Sequence, residues 1–529
     1  MKKTFHIERI GTDDYKARLV AESLPDTGNR VPALRILQSI TESPLNCVTV
    51  VFEKEYVDQD YQDELAVFYS KAFKDYSHRC TRLHFFAVEI PTKSEKAITD
   101  FTAYKDHYLG FMVLRPTDLQ RVGRTYLAVP IKDPNTEFIT CLAPFKAHIL
   151  GHEFPISAMP FVQQDTQVGA CAQACLWMVA RYMSRRFGYR EFLPGEINQC
   201  AKSRSALGRH YPAETGLTLV QMLDALQGMF LSAISYQKPM LDDSHKHIEK
   251  AYPITADLAI HPTEHADQLD RQRTAKLADI AYRYIESGLP VIFATSNHAI
   301  VGIGHKFDPT ISATVAIERI PSFYVNNDNA GPYIEMPLFG PVSNVITFDQ
   351  IQLVIVVVPS EATLSGEEAE RIAVNDIEQL LIAKPDDAKP ETLLDILSKY
   401  RPDLAPLLVK LEYRTYLCRS VELQRDIRAD VAVGNLDVAV GETLVQLDYP
   451  KYVWITEVSS ATLLNQAAKL DRRCLGRVIV DSTAPARTRG VIANHFADLL
   501  ILNDRQGKQD SEVTIHRNST PFRHKFMTN

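Results

Sequence analysis

The chain of 529 residues has no apolar run long enough to cross a bilayer. Its longest, "LVIVVVP" from Leu353, falls far short of the roughly 20 residues a membrane helix needs and reads as a buried strand, so no membrane insertion is expected. The N-terminus, "MKKTFHIERIGTDD", has lysines with no apolar stretch behind them, which argues against a secretory signal and for a cytoplasmic protein. Blocks of Lys and Arg are missing outside the tail "IHRNSTPFRHKF", and a net charge of -7 is mild for this length, so nucleic acid is not an expected partner. There is no C-x-x-C pair. The cysteines (Cys47, Cys80, Cys141, Cys171, Cys175, Cys200, Cys418 and Cys474) are scattered, and a reducing compartment keeps them as thiols rather than a disulfide framework. No glycine-rich phosphate loop, G-x-S-x-G elbow or H-E-x-x-H helix occurs, which weighs against ATPase, serine hydrolase and metalloprotease chemistry. The stretch "GIGH" is too short to count as a nucleotide loop, and no cofactor is implied.

What is present is an ordinary globular composition, 45% apolar and 23% charged, in a chain longer than one core normally organises. Three regions emerge, without internal repeats or low-complexity segments. Residues 1–150 alternate helix-like stretches with β-rich ones such as "CVTVVFE" and "YLGFMVLRP", which suggests an α/β or α+β domain, with α/β taken as the expectation. Residues 151–362 place a long helix from Cys171 and helices near 219 and 268 before several strands, an α+β order. Residues 363–529 are helical, then β-rich, and their start is marked by Ser, Pro and Gly in "PSEATLSGEE".

The central region holds the chemistry. In "QQDTQVGACAQACLWMVARYM" a polar loop turns into a helix whose small and apolar positions Cys171, Ala174, Cys175, Met178, Val179, Tyr182 and Met183 recur at helical spacing, with Gly188 where a C-terminal glycine belongs. Cys171 falls in the first turn, where unpaired N–H groups and the positive end of the helix dipole favour a thiolate. Cys175 lies a turn deeper, where packing is its expected role. A base is supplied by "GLPVIFATSNHAIVGIGHKFD": Gly288 and Pro290 end a helix, two short strands flank Ser296 and Asn297, and His298 opens the second strand. In "FYVNNDNAGPY" a strand closes on Asn326, Asn327 and Asp328, each a group able to fix an imidazole tautomer.

These three stretches, in this order, resemble the papain-like cysteine peptidases, and most closely the double-glycine-leader (bacteriocin-processing) peptidases and their stand-alone relatives. The resemblance covers roughly residues 152–360. It implies a papain-like core, Cys171 as nucleophile, His298 as base and Asn327 or Asp328 as the orienting group. Two positions depart from the family: Ala172 stands where glycine is usual, and Asp165 stands where the oxyanion-hole glutamine is usual. A carboxylate cannot donate a hydrogen bond to an oxyanion, so that role moves to Gln164, with Gln163 and Gln167 as fallbacks and Gly169 accommodating the extra loop residue. Counting back from Gly331 favours Asn327, charge compensation favours Asp328, and strand alternation puts the two on opposite faces.

Blander readings compete at each position. Cys171 alone would be a small buried hydrophobe and His298 a satisfied structural histidine, while His305 is a rival base that follows a glycine at an expected turn. His245, His247, His261 and His265 form a loose cluster whose last two have zinc-like spacing, but Pro262 opposes a helix through both, and no metal is expected. Cys171, Cys175 and Cys200 make a still weaker thiolate set. Thr218 and Gln221 have capping-box spacing in a helix ending at Gly228, which the resemblance places beside the substrate groove.

The leading expectation is a thiol hydrolase cleaving a peptide or isopeptide bond in a protein or peptide substrate. The alternatives are a transglutaminase-like acyltransferase or deamidase on the same triad, and an inactive protease fold kept for binding or scaffolding. The flanking regions are expected to gate the groove or recruit a regulatory protein partner.

Overall fold

A computed structural model describes residues 5–9, 31–91, 101–118, 121–165, 170–202, 216–238, 262–311, 313, 316–340, 345–382, 392, 395, 398–399, 402–403, 405–483, 490–496, 499–503 and 509–510. Side chains of 262–267, 409, 499 and 509–510 lie outside that description. The described chain is mixed α+β.

In the N-terminal region the strands Phe5–Arg9, Thr49–Tyr56, Cys80–Phe86, Tyr108–Leu114 and Val122–Leu127 pair antiparallel in chain order. Of the two alternatives read in sequence the domain is the α+β one, not the α/β one taken as the expectation: helical and β stretches do alternate in sequence, but consecutive strands pair directly instead of through right-handed parallel crossovers. The helix Gln59–Val67 starts where the Asp58 carboxylate accepts the Tyr61 N–H at 3.1 Å.

The central sheet runs in the order Gly331–Pro337, Ser322–Asn327, Ala299–Lys306, Val291–Ala294, Leu353–Val358 and Ser232–Gln237. The run from Leu353 is an interior strand, and Val354 to Val357 are fully buried, which its unbroken apolarity requires. Helix Cys171–Phe187 packs on this sheet with every residue from Ala172 to Met183 buried. It stops at Gly188, which takes φ 80° and donates its N–H to Ser184 at 3.0 Å, a conformation that a residue with a side chain resists.

The boundary expected at 150 is not where the regions part. Glu137–Ile139 pairs with Ala299–Lys306 and so belongs to the central sheet. Residues Leu150 and Gly151, both at positive φ, form the turn of a hairpin between Ala143–Ile149 and His152–Ala158. A glycine turn signal in sequence marks a hairpin as readily as a domain end. Near 362 the chain leaves the strand Leu353–Val358 and enters the helix Gly366–Ile382.

The C-terminal sheet is also antiparallel in chain order: Glu412–Arg419, Tyr452–Ser459, Gly476–Asp481, Val491–Phe496, Leu499–Asn503 and Gln509–Asp510. Helices Ser420–Ala432 and Val438–Gln446 cover one face through Leu423, Ile427, Val440 and Leu444. Gly366–Ile382 covers the other, where Trp454 is fully buried and donates its indole N–H to Leu364 at 3.0 Å. That second face is continuous with one core running through all three regions. Among the described residues no helix is long and apolar enough to cross a membrane.

Candidate functional site

Cys171 is the first residue of its helix and is partly exposed, whereas Cys175 is fully buried, where burial pushes its thiol pKa far up. The chain enters the helix from an extended Ala170, whose N–H donates to Gln173 Oε1 at 3.0 Å and so fixes the entry angle. By position, the Cys171 N–H has no acceptor within the helix and points out of its N-terminal end.

His298 sits in the tight turn before the strand Ala299–Lys306. Thr295 closes that turn: its hydroxyl accepts the His298 N–H at 3.1 Å, and its own N–H donates to the His298 carbonyl at 2.9 Å. The ring neighbours Cys171 and places Nε2 3.0 Å from Asn327 Oδ1 and 3.5 Å from Asp328 Oδ1. An amide oxygen only accepts, so Nε2 carries hydrogen toward Asn327 and Nδ1 is the nitrogen left for the thiol.

The electrostatics follow from burial and partners. Burial by itself lowers the His298 pKa, but the neighbouring Cys171 thiol, the Asp328 charge and the Asn327 hydrogen bond outweigh it and hold the imidazole up at about 9. Asp328 is wholly buried, and that burial pushes its carboxyl up to about 6 against the pull of His298, the nearby backbone N–H groups and Arg121.

Asn327 and Asp328 do not fall on opposite sides, as simple alternation predicts. Pairing with the next strand shifts register between Val325 and Asn327, the strand ends at Asn327, and Asp328 belongs to the turn, so both reach the same imidazole. Asn326 points away, with its amide donating to the Pro160 carbonyl at 3.0 Å and accepting the Tyr333 N–H at 3.0 Å.

Gln164 donates one Nε2 hydrogen to Asn329 Oδ1 at 3.0 Å, and Asn329 in turn donates its N–H to Asn327 Oδ1 at 3.0 Å. The amide that would serve an oxyanion is thus tied to the turn that orients His298, and its second hydrogen remains to donate. Asn329 was not singled out by the sequence; its signal was the third amide in "NNDN", readable only once the turn is seen. Gln163 is unsuited to the oxyanion role, because it is buried with its Oε1 accepting the Val122 N–H at 3.1 Å and its carbonyl accepting from Arg115 at 2.6 Å. Asp165 is also buried and accepts the Tyr69 hydroxyl at 2.6 Å. Gln167 and Gly169 lie outside the described residues.

His305 is fully buried and faces Glu286, with Nε2 2.5 Å from its Oε2, so it is not brought to the thiol. Cys200 packs against Gly228 rather than joining Cys171 and Cys175. His245, His247 and His261 lie outside the described residues, as does the side chain of His265; the helix begins at Pro262, after His261. Among the described residues no three His, Cys, Asp or Glu side chains gather as a metal site would require. Compared with protein-family models, curated proteins and solved structures, the chain has no significant match.

Proposed function

We propose that this protein is a papain-like cysteine hydrolase acting on a peptide or isopeptide bond. The observation that carries the reading is the row formed by Cys171, His298 and the Asn327–Asp328 turn, with a helix-start thiol beside an imidazole whose Nε2 is held at 3.0 Å by an amide oxygen.

In the first half-reaction the Cys171 thiolate attacks the substrate carbonyl carbon and the carbonyl electrons pass to its oxygen. The Cys171 N–H and the second Gln164 amide hydrogen hold that oxyanion. Protonated His298 gives its proton to the departing amine as the C–N bond breaks. In the second, His298 takes a proton from water, the hydroxide attacks the thioester, and the thiolate leaves with its charge restored. Asn327 keeps the ring in the plane this requires, and Asp328 stabilises the imidazolium.

The test is turnover of a peptide library by the full chain beside Cys171→Ala, with product masses recorded. Cleavage products lost in the variant, which keeps a folded thermal transition, support hydrolysis. Unchanged cleavage in Cys171→Ala sinks the reading, and a product heavier by about one dalton with no chain scission assigns the same thiol to glutamine deamidation.

A further inference from the structure

The stretch that presents Gln164 is held from the N-terminal region. Thr125 and Phe161 exchange both backbone hydrogen bonds at 3.0 Å, and the Gln163 N–H donates to the Val122 carbonyl at 3.0 Å, so residues 161–163 lie along the strand Val122–Leu127. Arg115 is buried, grips both Glu64 oxygens at 2.8 and 2.9 Å, and turns its other terminal nitrogen onto the Gln163 carbonyl at 2.6 Å. Tyr69 donates to Asp165 at 2.6 Å. Both neighbours of Gln164 are therefore fixed by side chains of the N-terminal region, and alternation along an extended chain turns Gln164 itself the other way, toward Asn329. A cavity of about 40 Å³ lined by Glu64, Arg115, Gln163, Gln164, Gln173 and Trp177 shows the two regions meeting directly behind the amide. Arg121, from the same segment, lends its charge to Asp328.

We propose that Arg115 and Tyr69 are positioning residues for the oxyanion-binding amide of Gln164, which makes the N-terminal region half of the active site rather than a detachable regulator. This rests on the cysteine-hydrolase reading. It differs from a general stabilising role because it concerns one step: formation of a tetrahedral oxyanion needs Gln164, whereas alkylation of the thiolate does not.

The experiment uses the full chain and two probes, iodoacetamide for the thiolate and p-nitrophenyl acetate for acylation, read as the p-nitrophenol burst. Gln164→Ala is expected to slow acylation by about 100-fold. Arg115→Lys keeps the charge but loses the fork, and is expected to slow acylation by about tenfold or more while Cys171 alkylates within about twofold of wild type. The double variant is expected to be no slower than Gln164→Ala, since an amide already absent cannot be misplaced. Acylation at the wild-type rate in Arg115→Lys, or a loss that multiplies fully with that of Gln164→Ala, overturns the proposal. Should Arg115→Lys not fold, Tyr69→Phe removes only a hydroxyl and carries the same split and the same non-additivity. Failure of the underlying reading looks different: wild-type Cys171 would alkylate no faster than the buried thiols.

Discussion

Under the proposed hydrolysis His298 must hold a proton for the leaving amine while Asp328 must lack one to stabilise it, and the site sets these two conditions over one pH range. Asp328 loses its proton only above about 6, because burial raises it, and His298 keeps its proton up to about 9, because its partners outweigh burial. Amide cleavage is therefore expected to follow a bell, rising with pH through about 6 and falling through about 9. Asp328→Asn should erase the lower limb and move the upper one to lower pH, since His298 loses its counter-charge; a profile identical to wild type in that variant would show that Asp328 is not coupled to catalysis. His298→Ala should lower cleavage by about 100-fold or more. The places of Cys171, His298 and Asn327 in the fold were legible in sequence because each carries a local mark: a helix start, a turn before a strand, a strand end. Asn329 and Arg115 were not, because their roles exist only across contacts 165 and 48 residues apart along the chain.

The elements that bring these residues together depend on a few close approaches. Gly304, on the strand that follows His298, faces the added strand Glu137–Ile139, where a Cβ would lie 2.3 Å from the Phe138 carbonyl oxygen and 2.8 Å from Ile139 Cα. Backbone cannot give way as a side chain can, so Gly304→Ala should cost roughly 1–3 kcal/mol in urea unfolding; an unchanged midpoint would deny that packing. Phe293 ring atoms occupy the same space beside Gly302, 2.4 Å from where its Cβ would be. The glycines of "GIGH" thus serve sheet packing, as a segment too short for a nucleotide loop should. Helix 219–228 begins with the capping box read in its sequence, Thr218 and Gln221 bonding reciprocally, and Thr218→Ala should cost about 1 kcal/mol by the same measurement. Its glycine has a different use from the one its position implied: Gly228 is the last helical residue and meets Cys200, while the positive φ falls on Phe230. Periodicity locates an element well; why a glycine is needed there depends on a neighbour that periodicity does not name.

Across the molecule, three sequence regions have become three principal sheets around one continuous core. Buried charges bind the central and C-terminal regions. Arg319 forks onto Glu412 at 2.6 and 2.8 Å, and Glu286 bridges His305 at 2.5 Å and Arg414 at 2.6 Å. Arg319→Ala strands a buried carboxylate and should cost roughly 3–5 kcal/mol, measured as the shift of the urea transition. If the transition stays in place, the two regions are not joined by this pair. Helix and strand order suggested three regions, but the order of elements does not reveal that their faces share a core. Burial raises the pKa values of Cys47, Cys80, Cys141, Cys175 and Cys200, while Cys171 sits partly exposed beside the His298 imidazole. The most direct measurement is the rate of iodoacetamide alkylation at each cysteine against pH, in wild type and His298→Ala, read by peptide mass spectrometry. Fast labelling confined to Cys171 and lost without His298 is the expected result. Labelling of Cys171 no faster than that of Cys175 or Cys200, or unaffected by loss of His298, would contradict it.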